Sequence, residues 1–131
     1  MRFKSINVFS GEKSDGIRKK RITRMLREDS NKILDAYLMS FKYYNNSNCI
    51  SLNISFDEDL NQKYIEPFKG YPVLHIPFDL VAYTEMTESE KIDFWLSTIR
   101  DTIDYVVNVW DWDASFFDDV YNKCLIQLNY H

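Results

Sequence analysis

The segment from Thr87 to Trp110 constrains the fold more than any other. Thr87, with Glu90 three positions on, has the form of a capping box, in which each side chain satisfies an amide at a helix start. Ile92, Trp95, Leu96, Ile99, Ile103, Val106, Val107 and Trp110 follow at helical spacing. The pattern predicts a long helix with one apolar face, and such a face has to be buried against another layer.

The other elements read around it. Arg2 to Phe9 predicts a short strand, with Ile6 and Val8 on one face and Phe3 and Phe9 on the other. Ser10 to Gly16 is turn chemistry. Ile17 to Tyr43 predicts a second long helix through Ile22, Met25, Leu26, Ile33, Leu34, Tyr37, Leu38 and Phe41, with a polar gap at Glu28–Asn31 where it kinks or breaks. Tyr44 to Asn48 favours a turn. Ile50, Leu52, Ile54 and Phe56 alternate with Ser51, Asn53 and Ser55, as in a half-buried antiparallel strand. Asp57 to Gly70 reads as loop, with a weak extended piece at Tyr64–Ile65. Tyr71 to Leu80 predicts a strand with Leu74, Ile76 and Phe78 on one face and Val73 and His75 on the other. Pro72 and Pro77 cannot donate to a ladder, which places this strand at an edge or breaks it at Pro77. A last helix has Phe117, Val120, Tyr121, Cys124, Leu125 and Leu128 on its apolar side, with Ser115 and Asp118 as its cap.

The order β-α-β-β-α-α gives an α+β fold. A small, mainly antiparallel sheet of about three to four strands is covered by two to three helices. The 131 residues are expected to form one domain. No apolar run approaches the ~18 residues of a membrane span, and the first ten residues do not resemble a signal peptide, so the cytoplasm is the expected location. Cys49 and Cys124 are then expected as reduced, mostly buried thiols.

Charge is divided between the two parts of the chain. Met1 to Asn48 carries 11 Lys/Arg and 5 Asp/Glu; Cys49 to His131 carries 5 Lys/Arg and 15 Asp/Glu. Between Asp79 and Asp119 there are 11 acids against Lys91 and Arg100 alone. On the Thr87–Trp110 helix, Asp93, Ser97, Asp101, Asp104, Asn108 and Asp111 form a stripe opposite the apolar face. Asp104 and Asp111 sit near the negative end of the helix, where each carboxylate costs ~0.3–1 kcal/mol. Two explanations fit a stripe that works against its own helix. The basic helix, with Arg18, Lys19, Lys20, Arg21, Arg24 and Arg27, lies beside it and neutralises it, or the stripe faces a basic partner. Trp112 lies just past the helix end. It reads either as an interface anchor among acids or as a cap folded onto Phe116 or Phe117.

Catalytic signatures are missing. There is no G-x-S-x-G, H-E-x-x-H or C-x-x-C, and three glycines leave little for a phosphate loop. The histidines are His75, within a strand, and His131, the last residue. The acid pairs Asp111/Asp113 and Asp118/Asp119 read as solvent-facing side chains rather than metal ligands. A non-catalytic protein with no cofactor and no metal is expected. The basic Ile17–Arg27 segment supports an alternative, a nucleic-acid-binding or regulatory module that neutralises phosphates.

Three pieces of the chain carry a resemblance. They are the leading strand and helix through Ile33–Leu38, the strands at Ile50–Phe56 and Val73–Ile76, and Phe78–Tyr83 followed by Thr87–Ile92 and a helix. In this layout the chain resembles immunity proteins of bacterial polymorphic-toxin and contact-dependent growth inhibition systems. The resemblance covers most of the chain. It implies that the chain binds a cognate toxin C-terminal domain, often a basic nuclease, and neutralises it by blockade. The contact surface expected from the acids and aromatics is Asp93, Asp101, Asp104, Asp111, Trp112, Asp113, Asp118 and Asp119. The basic helix departs from a purely acidic decoy.

Overall fold

In a computed structural model, the described residues are 2–11, 16–44, 48–68 and 71–129. The side chains of residues 67, 68 and 71 are outside the description. The elements are β1 (Arg2–Ser10), α1 (Gly16–Ser40), β2 (Cys49–Asp57), β3 (Tyr64–Phe68), β4 (Tyr71–Pro77), α2 (Leu80–Thr84), α3 (Glu88–Trp110) and α4 (Ala114–Gln127), with a 3-10 turn at Phe41–Tyr43. Much of the turns expected at Ser10–Gly16 and Tyr44–Asn48, and His131, lie outside the described residues.

The fold is α+β, with four strands in the order β1-β2-β4-β3. The sheet is mixed rather than mainly antiparallel: β1 with β2 and β2 with β4 are parallel, and only β3 with β4 is antiparallel. The reason lies in the connections. α1 carries the chain back from the end of β1 to the start of β2, and such a crossover joins parallel strands. β3 is the weak extended piece at Tyr64–Ile65 grown to a full edge strand. It leaves β4 inside the sheet, with Pro72 just before the stretch that pairs with β2 and Pro77 its last residue.

The core lies between one face of the sheet and the helices. Leu52, Ile54, Phe56, Leu74 and Phe78 meet Leu26, Ile33, Leu34 and Tyr37 of α1 and Trp95, Ile99, Ile103 and Val106 of α3. Phe3 joins this face instead of the opposite one. A register shift between Phe3 and Ser5 inverts the alternation of β1. Phe3 then packs against Phe41, Trp112 and Phe117, with ring centroids 5.7–6.3 Å apart.

α1 runs unbroken through its polar gap because the gap has polar partners. Tyr83 Oη donates to Asp29 Oδ2 at 2.7 Å, Trp95 Nε1 donates to Tyr83 Oη at 3.0 Å, and Lys91 Nζ lies 3.3 Å from Asp29. Burial and the Asp29 bond raise the Tyr83 pKa well above its ordinary value. α2 was not expected from the sequence. Asp79 caps it by accepting from Ala82 N–H at 3.1 Å.

Candidate functional site

The capping box is present as the sequence requires. Glu90 N–H donates to Thr87 Oγ1 at 3.2 Å, and Thr87 N–H donates to Glu90 Oε1 at 3.0 Å. The bonds to Thr87 hold the Glu90 carboxyl below the usual carboxylate range. With the start of α3 fixed, Trp95, Leu96, Ile99, Ile103, Val106 and Val107 turn inward. Asp93, Ser97, Asp101, Asp104, Asn108 and Asp111 are all exposed on the outside.

α4 packs beside this stripe. Between the two helices runs a groove of ≈ 380 Å³, lined by Asp93, Leu96, Ser97, Arg100, Asp101, Tyr121 and Leu125. Arg100 reaches Asp118 at 2.8 Å and Asp104 at 3.3 Å, and lies 5.4 Å from the Tyr121 ring centre. Burial opposes its charge, but the Asp118 bond and the Asp104 charge outweigh burial and raise its pKa. Asp104 and Asp118 keep about half their side-chain surface, at 57% and 47%, so their pairing with Arg100 leaves them open to a second cation.

The remaining expected residues divide by role. Asp111 ends α3 in the left-handed region (φ 53°), a conformation that aspartate adopts more readily than most residues. Asp113, not Ser115, caps α4, accepting from Ser115 N–H at 3.0 Å and Phe116 N–H at 3.4 Å. Trp112 takes the inward reading: it is half-buried, stacked on Phe117 at 5.4 Å and 17°, and 4.7 Å from Trp110. Asp119 is exposed. The structure therefore gathers Asp93, Asp101, Asp104 and Asp118 around one groove and gives Asp111, Trp112 and Asp113 places in the α3–α4 corner.

Neutralisation of Asp101 and Asp104 by the basic helix is not seen among the described residues. Among the described residues, no Lys or Arg of α1 forms an ion pair with Asp101, Asp104 or Asp111. The pair Asp29–Lys91, which does join these helices, has the opposite polarity. Arg18 instead holds Glu58 at 2.8 Å, and Arg27 donates to the Val8 carbonyl at 3.0 Å.

A second polar cluster lies on the sheet face away from the helices. His75 Nδ1 is 2.7 Å from Asp57, its Nε2 is 2.7 Å from Glu66, and Tyr64 stacks on its ring at 4.5 Å and 10°. Ser55 Oγ donates to Asp57 Oδ1 at 2.8 Å. Sequence reasoning missed Asp57, Glu66 and Tyr64 here, because only the β2-β4-β3 register brings them to His75. With both ring nitrogens on carboxylates, His75 would have to break one of these bonds to act as a base. The cluster ties three strands together.

Cys49 is exposed rather than buried, and Cys124 is fully buried; neither forms a disulfide. Burial pushes the Cys124 thiol up to about 11. Among the described residues no helix is long and apolar enough to cross a membrane. Comparison with protein-family models, with curated proteins and with solved structures finds no match to this chain.

Proposed function

We propose that this chain is a non-catalytic binding protein whose α3–α4 face docks onto a basic protein. We further propose that the partner is a toxin domain that it neutralises, the role of an immunity protein in a bacterial polymorphic-toxin or contact-dependent inhibition system. One observation carries the reading. Asp101 and Asp104 are exposed beside a groove, and among the described residues α1, the most basic element of the chain, forms no ion pair with either. Asp104 opposes the helix dipole and shares Arg100 with Asp118, so the fold offsets only part of this negative charge, the pattern expected where charge serves association. Leu96, Tyr121 and Leu125 give the groove an apolar floor for a side chain of the partner.

The test is calorimetry of the intact chain with the C-terminal domain encoded by the neighbouring upstream gene. Nanomolar affinity, about -12 kcal/mol, with loss of the domain's toxicity supports the reading; absence of binding refutes it. A second reading rests on Lys19, Lys20, Arg21 and Arg24, which are all exposed on α1 and would suit phosphates. Retardation of DNA or RNA at ~50 mM salt, weakening steeply as salt rises, would favour it.

A further inference from the structure

β1 is an edge strand, paired with β2 on one side only. Gly11 N–H donates to the Phe56 carbonyl at 2.9 Å. Backbone groups of alternate residues point to opposite sides of a strand, so Ser5, Asn7 and Phe9 also face β2, while Ile6, Val8 and Ser10 face outward. α1 covers part of this outer edge: Ser10 N–H donates to Thr23 Oγ1 at 2.9 Å, and Arg27 Nε donates to the Val8 carbonyl at 3.0 Å. Among the described residues nothing bonds the N–H or carbonyl of Ile6 or the N–H of Val8. These groups open onto a groove of ≈ 310 Å³ between β1 and α1, walled by Asn31, Leu34, Asp35 and Leu38. An edge left in this state is a template for another strand.

Charge around the groove selects the occupant. Thr23 lies beside Ser10, Arg27 beside Val8, and Leu34 and Leu38 further toward the start of β1, so α1 runs antiparallel to β1. Arg24, Glu28, Asn31 and Asp35 form an exposed rim at helical spacing, positive at one end and negative at the other. Glu28 and Asp35 have no ion-pair partner among the described residues. A two-fold axis beside Ile6 runs two β1 strands antiparallel and brings the Arg24/Arg27 end of one rim against the Asp35 end of the other. The rim is thus complementary to itself, as an isologous contact requires.

We infer that two copies of this chain associate through the outer edge of β1, the N–H and carbonyl of each Ile6 bonding those of the other, to give one sheet continuous through both copies. This contact is separate from the α3–α4 face and stands or falls without it.

The experiment is sedimentation equilibrium of the intact chain up to about 1 mM, the weak limit of specific association, combined with amide hydrogen exchange. The mass is expected to rise from 15.7 kDa toward twice that value. Exchange at Ile6 and Val8 is expected to slow as the dimer fills. Asp35→Arg, which sets like charges against each other across the axis, is expected to weaken the dimer by ~10-fold or more, and Arg24→Asp added to it to restore association. A monomer at every concentration overturns the inference. So does a dimer in which Ile6 exchange is independent of concentration, or one that Asp35→Arg leaves unchanged. The exchange measurement on the unaltered chain decides the matter even if a variant fails to fold.

Discussion

The two long helices have the same plan and opposite electrostatics. Each buries an apolar stripe against the sheet and turns charge outward. On α1 several of those charges are built into the fold: Arg18 holds Glu58, Arg27 bonds a β1 carbonyl, and Asp29 receives Tyr83 and Lys91. On α3, Asp104 meets Arg100, and Asp101 has no ion-pair partner among the described residues. The comparison teaches that charge density does not distinguish a structural charge from an available one. What distinguishes them is whether a neighbouring element supplies the partner.

The inner faces should therefore respond alike to substitution and the outer faces differently. The largest effect is expected on the inside. Tyr37→Ala on α1 and Trp95→Ala on α3, both fully buried, should each cost about 3–5 kcal/mol in denaturant unfolding. A cost near zero for either would mean that its helix is not docked on the sheet. Next comes the outer-face contrast. Asp29→Ala strands the Tyr83 hydroxyl and Lys91 and should cost about 1–3 kcal/mol. Asp101→Ala on α3 should stay within about 0.5 kcal/mol of the unaltered chain. Equal costs for the two would erase the distinction.

Two tyrosines sharpen the same point. Tyr83 Oη bridges Trp95 and Asp29, whereas the buried Tyr37 hydroxyl has no partner among the described residues. Tyr83→Phe should therefore destabilise by about 1–3 kcal/mol, and Tyr37→Phe should be neutral or stabilising.

The smallest effect is at the start of α3. The folded Glu90 carboxyl titrates below its unfolded value of ~4.3. Its contribution is fully present above that value and is lost as pH falls through the folded pKa. The melting-temperature gap between the unaltered chain and Glu90→Gln should shrink from pH 7 toward pH 3. A gap that widens on acidification would contradict the capping geometry.

Much of this was legible in the sequence where a single period dominates. The capping box, the α3 stripe and the β2 alternation are local patterns, and each survives in the structure. What was not legible depends on pairing between distant segments. The alternation of Ile50 to Phe56 reports a half-buried strand but not the direction of its neighbours, so the parallel pairs were missed. One register shift in β1 sent Phe3 to the core against its expected parity. The polar gap of α1 looked like a break because Tyr83, Trp95 and Lys91 are more than fifty residues away in sequence. In the candidate site, the exposure of the acids followed from helical spacing. The capping role of Asp113 is also local, an aspartate just before the helix it caps, but Ser115 was read in its place. The inward stack of Trp112 and the Arg100–Asp118 pair required the packing of α4 on α3.

The decisive measurement is the affinity of the proposed partner, the C-terminal domain encoded by the neighbouring upstream gene, for the chain carrying both Asp101→Lys and Asp104→Lys, compared with the unaltered chain and with Arg21→Glu on α1. If the α3–α4 face is the contact, the double reversal should lose about 2 kcal/mol or more of binding, some 30-fold in Kd, with circular dichroism unchanged. Arg21→Glu should then bind as the unaltered chain does. Unchanged binding by the double reversal, or a loss confined to Arg21→Glu, would contradict the claim that the acids of α3 are held open for a partner.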